Sequence, residues 1–177
     1  MNVPYIHLGN YKVDDELVQY LVPEDYGRFY TSYESEDPPD DILNDFYKKI
    51  VEKIMKEMGL YYKSKYEYYY WLQAYNGPVM GHAPHHHCQV LQPPGIYDAI
   101  SFCHFIRTQN KPFQFVDMQG NYQIPPEQNE GDIIAFPIWA WHQAKPHGIK
   151  DYERITIAGN ITLTHIDSID AYTKTIR

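Results

Sequence analysis

The sequence predicts a mainly β protein in which one amphipathic helix packs on an antiparallel barrel or sandwich. Aromatic residues make up 16% of the 177 residues, and 18 residues are tyrosines. Residues of this kind are enriched on pleated, half-buried surfaces. The second half of the chain consists of short apolar runs separated by Gly, Pro and Asn, with no helical pattern between them. One helix followed by consecutive strands indicates helices packed on a single β unit.

The first 64 residues are expected to form loops and helices. Residues 14–20 fit a short helix, and the acidic stretch 23–39, with its Pro and Gly residues, fits a surface loop. Asp40 can cap a longer helix that Gly59 ends. Its apolar positions recur every three or four residues, which predicts about five turns with one buried face. These positions are Leu43, Phe46, Ile50, Ile54 and Met58.

The β core is expected to occupy residues 65–165 of a single domain that spans 1–177. Within it, five runs are rich in aromatic and β-branched residues and are bounded by turn residues. These runs are residues 66–75, 99–107, 113–116, 132–136 and 154–163.

Composition argues against several classes of partner. The formal net charge is −8, and no basic run stands out, which is unfavourable for binding nucleic acid or an anionic membrane. The apolar stretches are too short to span a bilayer, and the N-terminus has no secretory pattern. Cys88 and Cys103 are too few for a disulfide framework and are expected to be free thiols. We therefore expect a cytoplasmic protein without nucleic-acid or membrane partners; whether its partner is a small molecule or a protein side chain stays open, as does its oligomeric state.

Histidines provide the first chemical signal, because four of the nine lie between residues 82 and 87. In an extended strand, residues i and i+2 share a face, so His85 and His87 can reach one metal ion while His86 points away. A surface histidine run has the same composition. His142, expected at the end of an apolar strand, is the best third ligand, although a lone histidine among aromatics is more often a core residue.

Arg154 provides the second signal. On the last predicted strand it shares a face with Thr156, and a buried guanidinium needs an anionic partner. That partner is either a carboxylate of the chain, such as Glu153 or Asp151, or a small dicarboxylate. A guanidinium can hold a carboxylate through two parallel hydrogen bonds while Thr156 donates a third.

Together these motifs resemble the iron(II)/2-oxoglutarate-dependent oxygenase superfamily, and within it the 2OG-Fe(II) oxygenases of marine phages and bacteria that are related to prolyl 4-hydroxylases. The likeness covers about residues 70–161 through WLQAYNG, PHHH, ISFCHFI, EGDIIAFPIWAWHQAKPH and ERITIAGNI. It implies a double-stranded β-helix (jelly roll, cupin-like). It also implies a dioxygenase that hydroxylates a substrate while 2-oxoglutarate (2OG) is converted to succinate and CO2.

The resemblance also assigns residues to roles. The Fe(2+) ligands would be His85, His87 and His142. The distal carboxylate of 2OG would be bound by Arg154 and Thr156, with help from Tyr75. Further residues are expected to line the pocket: Trp139, Trp141 and Asn160.

The position of His87 departs from the family pattern, since most of the superfamily has Asp or Glu there. Three neutral imidazoles leave the metal with a larger net positive charge, which can admit zinc, copper or nickel more readily. Asp98 is the best spare carboxylate. Two alternatives stay open: a cupin-type three-histidine metal protein that does not use 2OG, and a non-catalytic structural barrel. The first leaves Arg154 and Thr156 without a task.

Overall fold

The computed structural model describes residues 1–33, 41–61, 65–88 and 96–164. Two antiparallel sheets and two helices make up the described chain, which confirms the mainly β prediction. In order, the elements are β1 (Ile6–Asn10), α1 (Asp15–Leu21), β2 (Phe29–Thr31), α2 (Asp41–Glu57), β3 (Lys65–Asn76), β4 (His82–His85), β5 (Ile96–Arg107), β6 (Phe113–Val116), β7 (Tyr122–Gln123), β8 (Asp132–Pro137), β9 (His142–Ala144) and β10 (Glu153–Thr164). No helix in these residues is long and apolar enough to cross a membrane.

Helix α2 is the amphipathic helix that the sequence predicts. Leu43, Ile50 and Ile54 are buried in one cluster with side chains of the larger sheet. Gly59 follows the helix with φ +69°, a left-handed conformation that favours glycine at a helix end. The expected cap, Asp40, lies outside the described residues.

The larger sheet has the order β1-β8-β5-β10-β3-β2, so β10 lies near its middle. All twelve residues of β10 pair with β3, from Glu153 opposite Asn76 to Thr164 opposite Lys65. Ile155 and Ile157 pack in the cluster with α2, whereas Arg154 and Thr156 face an inner cavity. The predicted alternation of β10 is therefore confirmed, and it aims the candidate polar residues between the two sheets.

The smaller sheet has the order β4-β9-β6-β7 and covers that inner face. Phe113 and Phe115 of this sheet form a second buried cluster with Phe105 and Phe136 of the larger sheet. Aromatic packing between the sheets thus closes the end of the sandwich beside the cavity.

The structure corrects two expectations about the strands. β8 ends at Pro137, and His142 begins β9 of the other sheet instead of ending an apolar strand. The stretch 23–39, expected to be loop, contains the short strand β2. Cys88 and Cys103 form no disulfide bond within the described part of the chain.

Candidate metal centre

The structure brings His85, His87 and His142 together, with ligand nitrogens within 4.8 Å of one another. His85 lies directly opposite His142 in the pairing of β4 with β9. His87 follows the end of β4, and its backbone N–H donates to the carbonyl of Ile138 at 3.2 Å. The imidazole centroids of His85 and His87 are 5.1 Å apart, so the two rings share one side of the chain.

Hydrogen bonds fix the orientation of each imidazole. Nδ1 of His85 donates to the carbonyl of Ala83, and Nδ1 of His142 donates to that of Ala140, both at 2.8 Å. Nδ1 of His87 lies 2.8 Å from Oδ1 of Asn160. Because these oxygens only accept, each Nδ1 carries the proton and each Nε2 keeps its lone pair for a metal ion.

Asn160 is itself held in place. Its Nδ2 donates to the Tyr69 hydroxyl at 2.6 Å, and the Ser101 hydroxyl donates to its Oδ1 at 2.9 Å. The amide therefore presents its oxygen to His87. The sequence indicated Asn160 as a pocket residue but gave no sign of its hydrogen bonds with Ser101 and Tyr69.

Electrostatics favour the neutral imidazoles that metal binding requires. Burial, together with the neighbouring His85 and His87, holds the pKa of His142 well below its usual range. Burial also lowers the pKa of His85. Metal ions bind the unprotonated ring, so little free energy is spent on removing protons at neutral pH. The side chain of Asp98, the spare carboxylate, lies outside the described residues.

Arg154 lies in the same cavity as the three histidines, with only 1% of the residue exposed. Its Nη1 donates to the carbonyl of Lys145 at 2.8 Å, and its guanidinium carbon lies 4.1 Å from the centre of the Tyr75 ring. Nε and Nη2 are buried and have no hydrogen-bond partner among the described residues. Each unmet donor of this kind costs about 1–3 kcal/mol.

The carboxylates considered as structural partners of Arg154 lie elsewhere. Glu153 binds Arg107 at 2.8 Å and the Tyr26 hydroxyl at 2.6 Å. Asp151 is exposed. Within the described chain, no carboxylate neutralises Arg154, and burial lowers its pKa. The cavity therefore has the character of an anion site.

Two spaces adjoin the histidines. The inner cavity, which we call the chamber, has a volume of about 40 Å³ and contains Arg154, Thr156 and Tyr75 in its wall. An outer groove of about 430 Å³ opens on the other side, where Tyr33 and Trp71 line it. The walls of both spaces include His82, His85, His87, Trp71 and Gln73.

Two predicted pocket residues lie elsewhere. Trp139 is 50% exposed and Trp141 is 43% exposed, and neither lines the chamber or the groove. In the segment between β8 and β9 the chain alternates, so Ile138 and Ala140 are buried and the tryptophans turn outward. Trp141 instead contacts the ring of His86, which is not part of the group of three histidine nitrogens.

His82 is the residue that sequence reasoning missed. Three residues from His85, it should face the opposite side of a regular strand. The pairing of β4 with β9 shifts register between the two residues, and such an irregularity changes the direction of a side chain. The rings of His82 and His85 are consequently 4.2 Å apart, centroid to centroid.

No family model and no curated protein sequence matches this chain. Its fold is similar to that of the viral collagen prolyl hydroxylase vCPH from Paramecium Bursaria Chlorella virus-1, solved as a 2OG complex, with TM-score 0.64, 13% identity and coverage of 91% of this chain and 96% of that one. A Pseudomonas putida prolyl-4-hydroxylase gives TM-score 0.58 and 12% identity, covering 93% and 94% of the two chains. EvdMO1 gives TM-score 0.60 and 14% identity over 90% of this chain. The match covers only 47% of the length of EvdMO1, so this chain spans about half of that protein.

These neighbours confirm the predicted jelly-roll fold and the resemblance to the oxygenase superfamily at the level of fold. At such low identity, the likeness extends no further than the fold.

Proposed function

We propose that this protein is an iron(II)/2OG-dependent dioxygenase that hydroxylates a C–H bond of its substrate. In the balanced reaction, dioxygen places one oxygen atom in the new hydroxyl group and the other in succinate, while 2OG loses CO2. The observation that carries the proposal is Arg154, a buried guanidinium with two unpaired donors in the same chamber as three histidines.

His85, His87 and His142 would hold the iron through Nε2. Three ligands are fewer than an octahedral ion accepts, which leaves room for exogenous ligands. When bound, iron with 2OG supplies the oxidising chemistry. The carbonyls of Ala83 and Ala140, with the amide of Asn160, keep the three rings in one tautomer.

Arg154 and Thr156 would bind the distal carboxylate of 2OG. A carboxylate that accepts from Nε and Nη2 satisfies both unpaired donors, and the pair is strong because it is charge-assisted and shielded from water. The ring of Tyr75 packs against the guanidinium in a cation–π contact. The substrate would approach from the outer groove, where Tyr33 and Trp71 provide aromatic surfaces beside His87.

A second candidate, a three-histidine metal protein that does not use 2OG, is favoured by the volume of the chamber. About 40 Å³ suits only a few water molecules, and 2OG is larger. Under our proposal, side chains of the chamber move when 2OG enters.

An anaerobic titration decides between the two. The protein is loaded with Fe(II), 2OG is added, and binding is followed by calorimetry and by the weak visible metal-to-ligand charge-transfer band. We expect one equivalent of iron and one of 2OG. Metal uptake without 2OG binding would favour the second candidate, and absence of iron uptake would contradict the oxygenase proposal.

A further inference from the structure

His82 lies between the two halves of the site. Its ring is 4.2 Å from that of His85 on one side and 6.2 Å from that of Tyr75 on the other, centroid to centroid. It lines both the chamber and the groove. His82 is not part of the group of nitrogens within 4.8 Å of one another, so its position is beside the metal ligands and not among them.

The polar contact of His82 is with the Tyr75 hydroxyl, 2.7 Å from its Nδ1. Tyr75 is 2% exposed, and its hydroxyl also approaches Oε1 of Gln73 at 3.1 Å. The hydroxyl is therefore held from two sides in a position from which solvent is excluded. The hydroxyl is the tip of the side chain, so holding it limits movement of the ring and keeps the ring in place.

That ring is the surface on which Arg154 rests, with 4.1 Å between the guanidinium carbon and the ring centre. Besides its contacts with Tyr75, the guanidinium is oriented by the hydrogen bond from Nη1 to the carbonyl of Lys145. The orientation of the ring thus contributes to the direction in which Nε and Nη2 point. Small errors in such a direction weaken a bidentate contact strongly.

We propose that His82 is a positioning residue for the cosubstrate: it holds Tyr75, and Tyr75 holds Arg154 in the orientation that binds the distal carboxylate of 2OG. The inference rests on the proposed function and adds a residue to its machinery. Two other roles for the His82 ring can be distinguished from this positioning role by their effects on binding. As a further metal ligand, His82 would raise metal affinity; as an obstruction, it would weaken 2OG binding.

The test uses Fe(II)-loaded full-length protein without oxygen, with 2OG as the probe in calorimetry, and compares His82→Ala, His82→Asn and Tyr75→Phe. We expect His82→Ala to weaken 2OG binding about tenfold, as for the loss of one hydrogen bond of ordinary strength, and to leave iron stoichiometry unchanged. His82→Asn should recover most of the affinity, because its amide can replace Nδ1 as the partner of the hydroxyl.

A double-mutant cycle adds a readout that a merely structural role would not give. Because His82 acts through the Tyr75 hydroxyl, His82→Ala combined with Tyr75→Phe should weaken binding no more than either change alone. The matched control is His86→Ala, which removes a neighbouring histidine whose ring contacts Trp141; it should change nothing. Melting temperatures of the metal-loaded variants show that each is folded.

Three results would overturn the inference while the proposed function stands: equal 2OG affinity in His82→Ala and the wild type, tighter binding in His82→Ala, or loss of iron from that variant. Additive losses in the cycle would also overturn it. If His82→Ala does not fold, the comparison of His82→Asn with Tyr75→Phe decides, since only the tyrosine change should then weaken binding. Failure of the wild type to bind 2OG would instead refute the proposed function itself.

Discussion

Arg154→Met is the substitution that most directly tests the oxygenase proposal. Methionine keeps an unbranched apolar stem against Tyr75 and removes the guanidinium. If Nε and Nη2 bind the distal carboxylate of 2OG, their loss should weaken 2OG binding by about 2–5 kcal/mol. At 1.4 kcal/mol for each factor of ten, the dissociation constant rises about 30- to 4,000-fold. Iron binding should be unchanged, because the three histidines are intact.

For stability, the oxygenase proposal and a structural role of Arg154 predict opposite effects of the same variant. Without 2OG, the substitution loses one hydrogen bond, from Nη1 to Lys145, worth about 1 kcal/mol, and it removes two unpaired donors that cost about 1–3 kcal/mol each. The melting temperature should therefore stay level or rise. A structural arginine paired with a carboxylate would instead lose about 3–5 kcal/mol. For a chain of this size that is a fall of about 6–20 °C.

Calorimetry with 2OG under anaerobic conditions and thermal melting without 2OG are measured on one preparation. Arg107→Met is the matched control, since Arg107 is partly exposed and pairs with Glu153. It should leave 2OG affinity unchanged and cost little stability. Unchanged affinity in Arg154→Met, with a large fall in melting temperature, would refute the oxygenase reasoning. Arg154→Lys should rescue only part of the affinity, because an ammonium lacks the planar fork.

Three further predictions concern histidines. Replacing His85, His87 or His142 singly by Ala should abolish stoichiometric metal uptake, whereas His86→Ala should retain it. Elemental analysis measures the metal content of each variant. Normal metal uptake by all three single variants would place the site elsewhere. His87→Asp should retain iron and bind zinc, copper and nickel less readily in competition with iron, because a carboxylate reduces the net charge at the metal. Competition assays with each metal measure this, and an unchanged preference for iron would contradict the prediction. Burial lowers the pKa of His104 to about 4, so it is neutral in the folded protein and protonates more readily when unfolded. Stability from this group is therefore complete above about pH 6.5 and is lost towards pH 4, by up to about 3 kcal/mol. The free energy of unfolding, measured with denaturant on the metal-free protein from pH 4 to 7, should change less with pH in His104→Asn than in the wild type. Equal slopes for the two proteins would disprove this role of His104.

Long strands and the long helix could be predicted from the sequence because their periodicity is sustained. The run 154–163 became β10, and α2 buries the apolar face that its spacing indicated. Strands β4, β7 and β9 have two to four residues, too few for a pattern, and they are fixed by pairing with distant partners. His82 was missed for a related reason, since its direction depends on an irregularity in the pairing of β4 with β9.

The partner of Arg154 illustrates a different limit. Period-two alternation already places Glu153 on the opposite face of β10, so the sequence could have excluded that neighbour. It could not exclude a carboxylate from another strand, because the register of β3, β5 and β9 decides which side chains meet. Only the packed structure brings the chamber together and leaves two donors unmet.

Arg154 differs from the other buried polar groups of the described residues in the number of donors that it leaves without a hydrogen bond. Gln128 makes three hydrogen bonds to backbone groups, and Asp132 accepts from Asn10 and Asn129. His104 has a partner on each ring nitrogen. Buried polar groups are normally satisfied in this way, so exceptions call for a reason. Among the residues that the structure describes, Thr108, His147 and Tyr152 each leave one atom without a hydrogen bond, but Arg154 leaves two donors and carries a charge. Under our proposal this cation binds an anion, and because three histidines lie in the same chamber, we propose that the anion is 2OG.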